Sequence, residues 1–169
     1  MTIWVSGNRP TWRWMWQDWH RVLALGFGLG LLPKVPGTWG TLLGFLLYAV
    51  LSPLSSFWGW MMAGFLVILG CRVCSVTANA LKAADPSVVV WDEVVAFALL
   101  LYALKPANVW SYFFLFVLFR VLDMTKPMPI GWFDRHVTGG VGIMLDDLVA
   151  SAVVWLGWMG MRWLGYVSS

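Results

Sequence analysis

Asp18, Asp85, Asp92, Glu93, Asp123, Asp134, Asp146 and Asp147 are the only carboxylate side chains of a chain that is otherwise almost all apolar. An ionised carboxylate in or near hydrocarbon costs kilocalories unless it is paired, metal-bound or facing water. Such groups therefore mark a site, and here they keep basic company in Lys34, Arg120, Lys126 and Arg135. Carboxylates suit a hard divalent cation, and Arg or Lys beside them suits a phosphate.

Two acidic pairs stand out. Asp92-Glu93 lies near the start of an apolar stretch, in Val-Val-Val-Trp-Asp-Glu-Val-Val. Adjacent helical residues point about 100° apart, so one could ligate a metal while the other accepts a bond or holds a second ion. The competing account is helix capping, which acidic residues at a helix start also provide. Asp146-Asp147 repeats the arrangement at the expected start of the last apolar stretch. Capping needs one acid and not two, and two neighbours repel unless a cation lies between them.

Arg120, Asp123 and Lys126 follow at i, i+3 and i+6, roughly one face of a helix end that Pro127 closes. An internal ion pair accounts for one acid and one base there. Two bases holding phosphate, with Asp123 on the metal, account for all three. Pro36-Gly37-Thr38-Trp39-Gly40-Thr41 offers backbone N–H groups at a helix N-terminus, a natural anion seat, with Lys34 just before it. Gly40 and Gly44 also form a G-x-x-x-G, which signals close helix contact. Asp134, Arg135 and His136 either edge the site or solvate a loop. Cys71-Arg72-Val73-Cys74 lacks both a βαβ context and further cysteines for zinc. His20 and His136 are far apart in sequence, and no serine lies in a nucleophile elbow.

The elements that must position these groups are membrane helices. Of 169 residues, 60% are hydrophobic and 11% charged, with mean hydropathy +0.76. Soluble domains carry about 25% charged residues, so this chain cannot cover a water-facing surface. The expectation is an all-α, single-domain (1–169) integral membrane bundle with about five spans, at 38–51, 57–76, 88–104, 107–122 and 143–166. Several are shorter than the ~20 residues of an upright span. A Trp-rich segment, 1–21, reads as an interfacial helix, with Trp12, Trp16 and Trp19 at helical spacing. The Gly- and Pro-punctuated stretch that follows, 22–37, reads as interfacial or re-entrant, tolerable at depth only if buried in protein or lining a wet cavity.

With the N-terminus inside and five alternating spans, nine basic residues lie on the cytoplasmic side and only Lys105 and Arg162 on the other. The same threading carries all eight acids to the cytoplasmic face. No basic stripe suggests nucleic acid. The residues thus point to a metal-dependent phosphatase acting on a lipid. The alternative is a non-enzymatic carrier or an ion- or lipid-binding scaffold, although carriers usually show matching halves and this chain does not. A CDP-alcohol phosphotransferase would need aspartates at a longer, Gly-interrupted spacing.

Four of these motifs, in this order, resemble the phosphatidylglycerophosphatase A family over about 28–151. They are Pro36-Gly37-Thr38-Trp39-Gly40, Asp92-Glu93, Phe119-Arg120-x-x-Asp123-x-x-Lys126-Pro127-x-Pro129-Ile130, and Met144-x-Asp146-Asp147-x-x-Ala150. The resemblance implies a bacterial inner-membrane enzyme, its active site facing the cytoplasm. It would remove the terminal phosphate of phosphatidylglycerophosphate with Mg²⁺ to leave phosphatidylglycerol. Asp92, Glu93, Asp123, Asp146 and Asp147 are then expected to be catalytic and metal-binding, and Lys34, Thr38, Arg120 and Lys126 to bind phosphate. Two positions depart from the family pattern: Ala96 after the acidic pair and Ser151 after Ala150, both where glycine is expected.

Overall fold

A computed structural model describes residues 10–128 and 130–165, with the backbone alone for Asp134 and Arg135. It is all-helical, with no strand among the described residues. Two short helices, α1 (Trp12–Met15) and α2 (Trp19–Ala24), are followed by a 3-10 segment at Gly26–Leu31. The bundle then runs through α3 (Pro36–Leu51), α4 (Ser56–Leu81), α5 (Trp91–Leu104), α6 (Val109–Thr125), α7 (Ile130–His136) and α8 (Gly139–Trp163).

The single interfacial helix expected at the N-terminus is two helices. Asp18 breaks the run by capping α2, accepting from the His20 backbone N–H at 3.0 Å and pairing with His20 Nδ1 at 2.7 Å. Those two bonds hold the Asp18 carboxyl below the usual carboxylate range. Asp18 is therefore spent locally and does not join the other acids. Trp12, Trp16 and Trp19 point outward, each more than half exposed. In the irregular stretch behind them Ala24, Leu25, Gly26, Gly28 and Gly30 are buried while Phe27 and Pro33, Lys34 and Val35 are exposed, and the Ala24 carbonyl accepts from the Val90 N–H at 2.9 Å.

Of the helix boundaries that differ from the sequence reading, the four nearest the charged residues have a plain physical reason. Helix α4 runs past Val76 to Leu81, because Ala78 and Leu81 are strong helix formers with a core to enter. Helix α5 starts at Trp91 rather than 88, since the β-branched Val88–Val90 run stays non-helical and docks on Ala24. Helix α6 extends to Thr125, and Lys126 closes it in a left-handed conformation ahead of Pro127. Helix α8 starts at Gly139, four residues before the apolar run. A Cβ on Gly140 would lie 2.0 Å from the Cys71 carbonyl oxygen, so tight packing on α4 outweighs low helix propensity there.

Close contacts set the register. Gly40 abuts Val90, and Gly44 abuts Val94 and Phe97, so α3 and α5 run parallel. Gly59 meets Tyr102 and Gly70 meets Trp91, so α4 runs against α5. The G-x-x-x-G of α3 is thus the α3–α5 contact. Gly40→Ala would place its Cβ 2.8 Å from the Val90 Cβ and 2.9 Å from the Val90 carbonyl oxygen. Backbone cannot yield as a side-chain tip can, so a loss of about 1–3 kcal/mol is expected. A thermal midpoint in detergent unchanged from wild type would refute this packing account.

Helix α5 is the axis of the bundle, with 11 of its 14 residues buried. A helix apolar all round belongs in a core. By length and composition α4 (26 residues) and α8 (25 residues) can cross a membrane, and α3 is a shorter apolar helix. At 1.5 Å per residue α4 and α8 reach ~38 Å, whereas α3, α5 and α6 reach only ~21–26 Å against a hydrocarbon core of ~30 Å. The alternation nevertheless gathers the N-terminal ends of α3, α5 and α8 with the C-terminal ends of α4 and α6. That arrangement puts most charged side chains of the bundle at one end, with Lys105 and Arg162 at the other.

Candidate active site

Three carboxylates converge at that end. Asp92 and Glu93 in the first turn of α5, and Asp147 of α8, each offer an oxygen within 4.8 Å of the others. Asp92 and Asp147 are buried, and the Glu93 side chain is 12% exposed. Asp92 Oδ1, Glu93 Oε2 and Asp147 Oδ2 have no hydrogen-bond partner among the described residues. Buried oxygen atoms of an anion without donors lose their hydration with no replacement, unless a cation takes that place. Hard oxygen donors at this spacing suit Mg²⁺, which binds through a few carboxylates and keeps positions for water and phosphate.

Both members of the Asp92-Glu93 pair reach this point, although successive helical residues diverge. The extra methylene of Glu93 lets its carboxylate swing back towards Asp92. Asp146-Asp147 does the opposite. Asp147 faces the triad, while Asp146 Oδ2 accepts from Lys126 Nζ at 2.6 Å. The pair is also not at a helix start as expected. With α8 beginning at Gly139 it lies two turns inside, where N-terminal capping does not apply.

Helix α6 supplies the cations. Arg120 Nη1 donates to Asp123 Oδ2 and lies 3.7 Å from Glu93 Oε1, with both side chains about one-eighth exposed. Asp123 sits close beside Asp147, so α6 touches the triad through both residues. Arg120 Nε is buried without a partner among the described residues. Opposite stands Gly37 in the first turn of α3, where a Cβ would lie 2.2 Å from Glu93 Oε1 and 3.0 Å from both terminal Arg120 nitrogens. The Pro36-Gly37-Thr38 helix start therefore does abut the acids. Thr38 is half-buried there, and its N–H already bonds the Val35 carbonyl at 3.0 Å. Lys34 is exposed on the preceding loop and is not drawn into this group.

A second, wetter group adjoins the first. Lys126 Nζ lies between Asp146 and Asp85, the latter at 3.8 Å with its side chain 55% exposed. Asp85 also lines a recess of about 60 Å³ with Asp146, Thr138 and Gly142. Sequence reasoning missed Asp85 as a site residue, because Asp85-Pro86 reads as an ordinary loop turn. It also set aside Cys74, whose buried side chain lies on the α4 face towards Glu93, Asp147 and Asp92. No redox partner was needed to place it there; the signal was its helical phase with Gly70 and Val73. The Asp134 and Arg135 side chains, expected either to edge the site or to solvate a loop, lie outside the described residues, as do Arg9 and Pro129.

Directly below the acids, Ser151 Oγ donates to the Ala96 carbonyl at 2.9 Å. The two departures from the family pattern are thus in contact at one α5–α8 crossing. Both are small enough to keep the helices close, and the hydroxyl finds an acceptor inside a buried contact.

The sequence profile of the phosphatidylglycerophosphatase A family matches residues 22–162. Phosphatidylglycerophosphatase A of Escherichia coli is 42% identical over 144 residues, covering 82% of this chain and 80% of the relative. The Haemophilus influenzae protein of the same name is 38% identical over 132 residues, covering 77% and 80%. No solved structure matches the chain. The matched region contains α3 to α7 and all but the last residue of α8, and with them all of the converging acids, and the chain belongs to the phosphatidylglycerophosphatase A family.

Proposed function

We propose that the protein is a membrane-embedded, Mg²⁺-dependent phosphatase that converts phosphatidylglycerophosphate into phosphatidylglycerol and inorganic phosphate. The observation that carries this reading is the buried triad of Asp92, Glu93 and Asp147 with Arg120 at its edge, in a chain of this family. Asp92, Glu93 and Asp147 would hold the metal, with Asp123 and Asp146 next to it. When bound, Mg²⁺ polarises phosphoryl oxygens and offsets the charge that builds in phosphoryl transfer. Arg120 and Lys126 would bind the phosphate, supported by the α3 start at Gly37 and Thr38 and by Lys34 from the exposed loop. Arg120 and Lys126 each already face a carboxylate, so an arriving phosphate would exchange partners there rather than enter an empty positive site.

Five helices of alternating direction would span the inner membrane of a bacterium, with the charged end at the cytoplasmic face. Large apolar side chains exposed on α4, α6 and α8, among them Trp58, Ile68, Trp110, Phe113 and Leu156, support contact with lipid. The three short helices would be accommodated by tilt and local thinning. A charged end at the membrane interface would let the phosphate reach the site while the acyl chains stay in the leaflet.

The test is release of inorganic phosphate from phosphatidylglycerophosphate by purified protein. Release should require Mg²⁺, stop on chelation and return when the metal is restored. Full turnover after exhaustive chelation would end the metal assignment. No turnover under any divalent metal would favour a carrier or scaffold.

A further inference from the structure

An apolar groove of about 710 Å³ opens between α3 and α6, lined by Leu42, Phe45, Ala107, Tyr112, Phe113 and Phe116 among others. Its volume lies within the roughly 300–1,000 Å³ of small-molecule sites. Helical periodicity ties it to the charged end. On α6, Phe116 and Tyr112 lie one and two turns below Arg120 on the same face. On α3, Thr41 and Phe45 lie one and two turns below Gly37. The groove walls are therefore the continuations of the two helix faces that meet Glu93 and close around Arg120.

Depth decides what could lie there. From Arg120 to Phe116 is four residues, or ~6 Å of helix, and from Arg120 to Val109 is eleven, or ~17 Å. One leaflet of the hydrocarbon core is ~15 Å thick. Measured from a phosphate held at Arg120, the groove thus lies from ~6 to ~17 Å down α6, at depths that the length of an acyl chain reaches and a headgroup does not. Its lip is open, since Leu42 is 40% exposed and Phe113 61% exposed, while Phe45 and Phe116 form a floor with ring centroids 6.1 Å apart. An open side and a closed floor suit a chain that enters sideways from the bilayer. A smaller groove of about 390 Å³ among Trp60, Leu99, Leu148 and Trp155 lies on the α4–α8 side, below Asp147, and neither α3 nor α6 lines it.

We propose that the α3–α6 groove seats an acyl chain of the lipid phosphate whose headgroup reaches Arg120. This inference rests on the proposed lipid phosphatase activity. The groove is then a selectivity device: it orients the substrate by its chain and presents the phosphate to Arg120 from the Phe116 side. Bulk lipid would bathe an ordinary bundle crevice equally, and a site for substrate would not accept it equally.

The test uses the full chain in phosphatidylcholine nanodiscs with Mg²⁺. The probe is a phosphonate analogue of phosphatidylglycerophosphate, resistant to hydrolysis, with a diazirine midway along one acyl chain. Cross-links are expected on Leu42, Phe45, Phe113 or Phe116. They should vanish with excess unlabelled long-chain analogue and persist when more phosphatidylcholine is added. Cross-links that concentrate at Trp60, Leu99 or Trp155, or that the long-chain analogue does not suppress, overturn the proposal. A kinetic measurement stands beside this. Leu42→Trp narrows the lip, so kcat/KM for a long-chain substrate should fall at least ~10-fold relative to a short-chain one. An unchanged ratio overturns the proposal even where both rates fall. The phosphate-release assay on the same preparation separates the two claims. Release with unsuppressed labelling refutes the groove alone, and suppressed labelling without release refutes the activity alone.

Discussion

Asp147→Asn is expected to lower phosphate release on the order of 1,000-fold, equivalent to about 4 kcal/mol of transition-state stabilisation. Asp147 stands where α8 meets both α5 and α6: it joins the triad with Asp92 and Glu93, and it neighbours Asp123. An amide keeps the shape but loses the charge that would hold a hard cation, so the metal should bind more weakly. Two readouts distinguish this from simple damage. Mg²⁺ should raise the thermal midpoint of the wild-type protein, because a ligand of the folded state stabilises it by mass action, and this rise should be lost in Asp147→Asn. Excess Mg²⁺ should also restore part of the turnover. Asp146→Asn should respond differently, since Asp146 faces Lys126 instead of the triad. A smaller loss without a change in the Mg²⁺ requirement is expected there. Full activity of Asp147→Asn at low Mg²⁺ would remove Asp147 from the metal site.

Short α7 was hidden in a polar stretch read as loop, whereas the longer helices were legible in the sequence because apolar runs and prolines punctuate it plainly. Their ends were not, and those ends decide how the acids are used. Asp146-Asp147 looked like a helix start because glycines precede it, and single-sequence propensity penalises Gly139 and Gly140 in a helix. Only the approach of Gly140 to the Cys71 carbonyl, a contact some 70 residues distant in sequence, explains why α8 begins a turn earlier. The same limit applies to Asp85, whose proximity to Lys126 depends on how the loop after α4 folds back. The spacing of Arg120, Asp123 and Lys126 does announce a common helical face. It does not say that Arg120 turns towards Glu93 while Lys126 turns towards Asp146. Local pattern reports the face of a helix, and tertiary packing reports its partner.

Arg120 and Lys126 are accordingly expected to separate under substitution. Arg120 is held near the triad by Asp123 and Glu93, with Gly37 so close that only a hydrogen atom fits between. In Arg120→Lys the charge is kept and the planar two-pronged donor is lost, so turnover should fall at least ~10-fold in correctly inserted protein. If Arg120 only fixed topology, lysine would replace it without loss, since the positive charge is kept and the proposed threading would set nine basic residues on one side against two on the other. A phosphate contact that strengthens as charge develops should lower kcat more than it raises KM. Lys126 is more exposed than Arg120 and pairs with Asp146 and Asp85. Lys126→Gln should therefore also lower turnover, but with a larger share of the effect in KM, because a flexible ammonium at the wetter edge captures phosphate before the site closes around it. Wild-type turnover in both Arg120→Lys and Lys126→Gln would return these side chains to the role of helix-end ion pairs. A loss in Arg120→Lys with normal Mg²⁺-induced stabilisation would instead place Arg120 on the phosphate, since a residue that merely shaped the metal site could not lose one without the other.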